Sequence, residues 1–450
     1  MSRLSNPNTP PTRRTFCAGA ATLLLAPRLS RSQWLWAQVV PANPLRPDVA
    51  AIDHDRILAA AQKYLSVAPT PLTALPCPRS PGTPHDYYSE ALDETSEPTA
   101  HDTAPSTSPA PFTAHRDALF TLGQIVPALA AAHLLTGDAR FAEHAVLHLR
   151  AWFADAATSM SPSLDYGAVL IKTTPAPAAT VTDSGAGAAA FGTAAANAPA
   201  PTIGRPEGIV ETLPLAEVAQ AIPFLANSPA LSAADTHAIH VWFAVYLHWL
   251  TDPQDSGPRL AAQARDRKDH HASSWLLQAA AYSRLTAAPG APSSENSMAT
   301  ELRHRFRTVT LRAQILANGS FPHELTTPNP YRNSLFNLDM LAAVCELLTT
   351  RFDSVWDYEL QDGPGMRSVI AFHFPFIESR NKWPYLADLV HFKELPCRRP
   401  SLLFAARAYS RPEYAALWKA LPPDPADLDV LRTIPIHQPL LWVRQPPRPD

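Results

Sequence analysis

The chain has 450 residues, 46% of them hydrophobic, and a formal net charge of −3, so it is long enough for a large core in one or two domains and lacks the basic balance typical of nucleic-acid binders. Most of its 48 prolines fall in a few clusters, which marks loops and linkers rather than disorder throughout. No Gly-rich phosphate loop, dinucleotide fingerprint or GxSxG elbow occurs, so no nucleotide cofactor and no serine nucleophile is expected.

Near the start, Arg13-Arg14 precedes an apolar run from Cys17 to Ala26, with small residues near Ala37 suited to cleavage. That is the form of a twin-arginine export signal, and the run is too short to span a bilayer. The expectation is a leader over 1–37, a mature protein that is periplasmic or secreted, and no membrane anchor once the leader is gone. Of the remaining cysteines, Cys345 reads as core filler, while a Cys77–Cys397 bridge is one open pairing.

An amphipathic helix is predicted over 53–65, followed by a proline-rich stretch to 84 and a polar, loop-like stretch over 85–114. From His115 the pattern changes: Leu119, Leu122, Ile125, Val126, Leu129 and Ala132 recur at helical spacing. Gly137-Asp138 ends that helix, and a second over 139–153 carries Phe141, Ala145, Leu149 and Trp152 on one face, making an antiparallel hairpin. His144 and His148, at i and i+4, have the spacing of metal ligands on one face. No HExxH pattern or third ligand accompanies them, so the favoured reading is a solvated face and no metal site.

Residues 173–202 are Ala, Thr, Pro and Gly without periodicity, a surface insertion by composition. Further helices are predicted near 213–224, 233–250, 271–285, 301–316, 335–348 and 401–421, with Asn318-Gly319-Ser320 as a turn. The organisation is thus an N-terminal segment 38–114, a helical domain 115–425 and a tail 426–450, all-α in class.

The stretch from Arg265 to Gln278 concentrates charge and the pair His270-His271 at the start of an otherwise apolar helix. Unpaired buried charge is costly, so such a cluster is either a solvated turn or a site. Trp275, beside Leu276, reads as core.

Several stretches resemble one family in one order. Leu135-Thr136-Gly137-Asp138 with Leu149-Arg150-Ala151-Trp152-Phe153, then Asp155 to Tyr166, then Gly204-Arg205-Pro206-Glu207-Gly208-Ile209, then Gly319-Ser320-Phe321-Pro322-His323-Glu324-Leu325 and Pro330-Tyr331-Arg332-Asn333-Ser334-Leu335-Phe336-Asn337-Leu338-Asp339 are similar to motifs of the alginate lyase superfamily, over roughly 115–420. The resemblance implies an (α/α) toroid built from antiparallel helical hairpins, and β-elimination on an anionic, uronic-acid polysaccharide. It implies a donor for the sugar carboxylate and two proton-transfer groups.

The chain departs from the family at the motifs that matter most. Lys268-Asp269-His270-His271-Ala272-Ser273 stands where the family has KNNHGT, so the histidine falls on His271 and both asparagines have changed. The family's arginine falls on Thr327 and its tyrosine on Asn333, while Tyr331 and Arg332 carry the same chemistries at shifted positions. The resemblance therefore implies His271, Tyr331 and Arg332 as catalytic, with His270, Asp269, Tyr166, Arg205, Glu324 and Asn333 against the substrate. Asp269 would repel an anionic polymer unless paired with Lys268 or Arg267. The alternative expectation is a member that binds glycan without turnover.

Overall fold

The structure, a computed structural model, describes residues 46–92, 110–171, 203–252, 260–287, 297–361 and 363–444. The expected leader over 1–37 and the insertion over 173–202 lie outside the described residues. The chain is mostly helical, as its periodicity predicts.

Helix α1 (His54–Tyr64) buries Ile57 and Ala61 and packs on α2 (Ala114–Thr136). Helix α2 ends at Gly137, whose φ of 70° supplies the left-handed cap that a helix C-terminus favours. Asp138 then caps α3 (Ala139–Leu149) by accepting from the Arg140 N–H, and α3 packs back on α2. Helix α4 (Pro214–Ala221) follows, and α5 (Ala233–Thr251) opens on a capping box between Ser232 and Asp235. The short α6 (Leu260–Arg265) leads to α7 (His270–Thr286), and α8 (Ser297–Arg305) continues through a wider turn to Gln314. Then come α9 (Pro330–Leu348), α10 (Met366–Glu378), α11 (Pro400–Tyr409) and α12 (Pro412–Ala420).

Helix α7 is the centre of the packing. Every residue from His271 to Ser283 is buried, and α4, α5, α6, α8 and α9 all contact it. A helix enclosed this way shows little amphipathic pattern, because it has no solvent face. Its polar side chains are matched internally: Gln278 Nε2 donates to the Ile209 carbonyl at 2.8 Å, and Thr212 Oγ1 donates to Gln278 Oε1 at 2.9 Å. These bonds fix the 204–212 segment against α7, near the helix start. Trp275 is core as predicted, its indole N–H on the Leu250 carbonyl at 2.9 Å.

Two short strands depart from the all-α expectation. β1 (Tyr88–Leu92) pairs in parallel with β2 (Tyr166–Ile171), Tyr88 opposite Tyr166. The 85–114 stretch reads as a loop because Glu90 breaks any apolar alternation. In the structure Glu90 is 3% exposed, gripped by Arg79 through two bonds of 2.7 and 2.6 Å and by the Tyr88 hydroxyl. A buried carboxylate is tolerated only when paired in this way.

Three further expectations are corrected. His144 and His148 are neither a metal pair nor a solvated face. His148 is 2% exposed, and both Nε2 atoms donate to the Val67 carbonyl, at 2.8 and 3.0 Å, tying α3 to the segment after α1. Burial holds the His148 imidazole down to about 4, which fits a neutral donor. Cys77 and Cys397 are both free thiols, while Cys345 is core as expected. The expected tail after 425 is, in its described part, docked on the core: Leu440, Leu441 and Trp442 are buried, and the turn Leu440–Val443 packs on α2 and α4.

Ala114–Thr136 and Pro206–Leu225 are long and apolar enough to cross a membrane, but most of each is buried against other helices. Gly319, in the predicted turn, has φ +89°, and a Cβ there would lie 2.4 Å from the Ser368 carbonyl oxygen. Gly319→Ala therefore combines a left-handed strain with a backbone clash. It is expected to lower stability by about 1–3 kcal/mol, read as a shift in the urea midpoint.

Candidate active site

The candidate site is built where α7 begins. Asp269 is the N-cap: its Oδ1 accepts from the His271 backbone N–H at 3.1 Å and contacts His271 Nδ1 at 3.0 Å. Arg267 reaches the same carboxylate at 3.0 Å and also Glu207 Oε1 at 2.9 Å, while Arg205 Nε meets Glu207 Oε2 at 3.3 Å. The anionic Asp269 is thus paired, with Arg267 rather than Lys268 as its partner. Burial works against the Asp269 anion, but the bond to His271 and the Arg267 charge beside it outweigh it and hold the carboxyl well below its usual range.

His270 has its own carboxylate. Glu324 is fully buried; its Oε1 accepts from the His270 N–H at 2.6 Å and its Oε2 lies 2.9 Å from His270 Nδ1. The two imidazoles are 4.1 Å apart between centroids, with 31° between their planes, and Phe336 lies 5.8 Å from His270. Each ring spends Nδ1 on a carboxylate. Among the described residues neither Nε2 has a hydrogen-bond partner, and each side chain keeps a small exposed edge, 15% and 11%. Burial is the main influence on His271 and lowers its pKa, the His270 charge adding to it and Asp269 opposing it. The consistent state is a neutral His271 that donates Nδ1–H to ionised Asp269 and offers Nε2 as an acceptor.

Other predicted site residues fall around this cluster. Tyr166 begins β2, and the backbone on either side of it is held to the 204–205 segment, Gly204 N–H to Asp165 O and Arg205 N–H to Gly167 O, both 2.8 Å. A Cβ on Gly204 would come within 2.7 Å of the Gly167 backbone, so glycine permits the approach that sets Arg205 beside Tyr166. Asn333 Nδ2 donates to Thr327 Oγ1 at 3.1 Å, and Thr327 Oγ1 donates to the Glu324 carbonyl at 2.8 Å. The two positions where the family motif carries tyrosine and arginine therefore face each other, and are linked to the segment that holds His270.

Tyr331 is not brought to the imidazoles. It is fully buried, its hydroxyl donates to the Phe376 carbonyl at 2.9 Å, and its ring packs on Trp383 and Phe392. Burial raises its phenol pKa, which further disfavours proton transfer. Arg332 is half-buried, and the Tyr331 and Arg332 N–H groups are both capped by Asp388, at 2.7 and 2.9 Å. Glu207 was missed as a site residue, since only the fold shows that one carboxylate joins two arginines, and Arg267 was foreseen only as one of two partners for Asp269. The signal for Arg267 was Asp269 itself, an acid in need of a partner.

One other group among the described residues has metal-ligand chemistry: donor atoms of His391, Asp427 and Asp429 lie within 4.8 Å of one another. Asp427 caps a helical turn and Asp429 pairs with Arg432 at 3.1 Å, so ion pairing accounts for the group. A shallow depression of about 420 Å³ is lined by Leu65, Arg140, Glu143, His144, Leu147 and Arg150. It shares no residue with the imidazole cluster, and both its arginines are already paired, with Asp138 and Asp235.

The alginate lyase family model matches residues 72–383, and the chain belongs to that family. Among solved structures it is similar to an alginate lyase from Bacteroides ovatus, 22% identical with a TM-score of 0.67 over 88% of this chain and 94% of that one. It is also similar to alginate lyase A1-III from Sphingomonas species A1, 14% identical with a TM-score of 0.49 over 87% and 95% of the two chains. No curated protein matches the sequence.

Proposed function

We propose that the protein is a polysaccharide lyase that cleaves a uronic-acid polymer, alginate or a close relative, by β-elimination. The observation that carries this reading is His271, at the family's histidine position, its pKa lowered by burial and its ring oriented through Nδ1 by Asp269. Such an imidazole is suited to take the proton from the sugar carbon that bears the carboxylate. Elimination also needs a cation or donor on that carboxylate to stabilise the charge that develops on it. Arg205, partly exposed beside Tyr166, and the half-buried Arg332 are the groups we assign to that task. The helix pairs are proposed to close into the toroid that frames the substrate groove. The Arg13-Arg14 segment supports export to the periplasm or beyond.

A second reading, glycan binding without turnover, draws support from Tyr331, which is buried away from the imidazoles, and from Asn333 and Thr327 in place of the family's tyrosine and arginine. One experiment separates the two. The mature protein is incubated with a panel of polyuronates, and the ultraviolet absorbance of the unsaturated product is followed. The lyase reading expects a steady rise on at least one polymer. Binding by calorimetry with no rise on any would replace it with the second reading.

A further inference from the structure

We propose that His270, held by Glu324, is the second proton-transfer group of the elimination, so that the reaction runs between two neighbouring imidazoles on one face of the sugar. This inference rests on the lyase reading. Its starting point is the vacancy in function left by the tyrosine: position 333 is Asn, bonded to Thr327, and Tyr331 has its hydroxyl on a backbone carbonyl. Something else must protonate the departing oxygen.

His270 meets the requirement on geometry. Its Nδ1 is fixed by a fully buried carboxylate at 2.9 Å, its backbone N–H is fixed by the same carboxylate at 2.6 Å, and its Nε2 is left for a substrate. The double hold by one buried carboxylate fixes the ring's orientation and leaves Nε2 as its atom for proton transfer. Next to it stands His271, held through Nδ1 by Asp269. In the proposed reaction His271 is the base and His270 the acid, their rings 4.1 Å apart.

The step balances as follows. His271 Nε2 takes the proton from C5 of the uronate, and the C5–H electron pair becomes the C4=C5 double bond. The C4–O bond breaks, and His270 Nε2–H delivers its proton to the departing glycosidic oxygen. His271 leaves the step protonated and His270 neutral, and exchange with water restores both. No oxidant, reductant or metal is consumed.

The same geometry names the stereochemical class of substrate. Two imidazoles this close reach the sugar from one side, whereas an anti elimination needs base and acid on opposite faces of the ring. One-sided transfer requires H5 and O4 on the same face, which is the arrangement in 1,4-linked D-mannuronate and D-glucuronate. Their C5 epimers, L-guluronate and L-iduronate, place them on opposite faces.

The test uses the full mature protein with D-mannuronate, D-glucuronate and L-guluronate polymers. His270→Gln is expected to lower kcat by about 10²–10⁴-fold, the usual range for a lost acid, while polymer binding by calorimetry is kept. His270→Ala is expected to regain turnover when free imidazole is added, a signature that a merely structural histidine would not give. Glu324→Gln is expected to shift the pH profile of kcat rather than only to scale it. If wild-type protein is active and His270→Gln keeps kcat within a few-fold, the inference fails while the lyase reading stands. An inactive His270→Ala that imidazole does not rescue also overturns it, as does turnover confined to the guluronate polymer. A wild-type protein silent on every polymer removes the lyase reading, and this inference with it.

Discussion

His271→Gln is expected to reduce kcat/KM on the preferred uronate polymer by about 10²–10⁴-fold and to leave the thermal melt close to wild type. Glutamine keeps a hydrogen-bonding group near Asp269 but removes the atom that accepts the C5 proton. The pH dependence follows from the same surroundings. Burial lowers the His271 pKa, and the base must be neutral to work, so activity should rise with pH along a limb that lies below the ordinary imidazole value. Asp269→Asn removes the anion that opposes the lowering, so that limb should move further down. Full activity retained in His271→Gln would remove this histidine from the chemistry and leave the helix start as a structural cap.

The largest expected effect on stability lies elsewhere, at the join of α9 and α11. Asp339 and Arg399 are both fully buried, 2.6 Å apart, and Asp339 Oδ1 also accepts from the Ser401 N–H at 3.1 Å. Burial pushes the Asp339 carboxyl up, while Arg399 and Ser401 pull it back toward its ionised form. Arg399→Leu leaves that carboxylate without a counter-charge and should cost about 3–5 kcal/mol, seen as a lower urea midpoint. The sign of its pH dependence is fixed. A carboxyl raised in the folded state adds stability while protonated, so the variant should weaken as pH rises through the raised value. Asp339→Leu combined with Arg399→Leu should recover much of the loss, because the pair is costly mainly when broken. If the single variant melts with the wild type, the pair is dispensable to the fold.

How much of this was readable in the sequence varied with the kind of signal. Helices α2 and α3 announced themselves through Leu119, Leu122, Ile125 and Phe141, and their turn through Gly137-Asp138, because local spacing and capping determine them. The strand pair did not. Tyr88 and Tyr166 meet across a long stretch of chain, and Glu90 hides the strand because its charge is neutralised only by the folded position of Arg79. His148 was misread for a related reason: its partner is a backbone carbonyl, which carries no trace in the amino-acid order. At the candidate site, the charged, histidine-bearing start of α7 was legible from motif order and from the cost of burying charge, and the structure pairs His271 with Asp269 there. Tyr331 was not legible, since neighbours at helical spacing point to different sides. One residue away from Arg332, it turns into the Trp383 and Phe392 cluster.

The anchoring of Gly204 and Arg205 onto Asp165 and Gly167 has a consequence for protein engineering. The chain leaves the described core at Ile171, at the far end of β2, and its return is pinned beside the start of the same strand. Between those points a graft has only to span one strand length, roughly 20 Å at about 3.3 Å per residue. Because the entropy of closing a loop grows slowly with its length, the interval is a natural port for a tag, a reporter domain or a shortened spacer. The pinned ends would keep Tyr166 and Arg205 in register whatever is installed there.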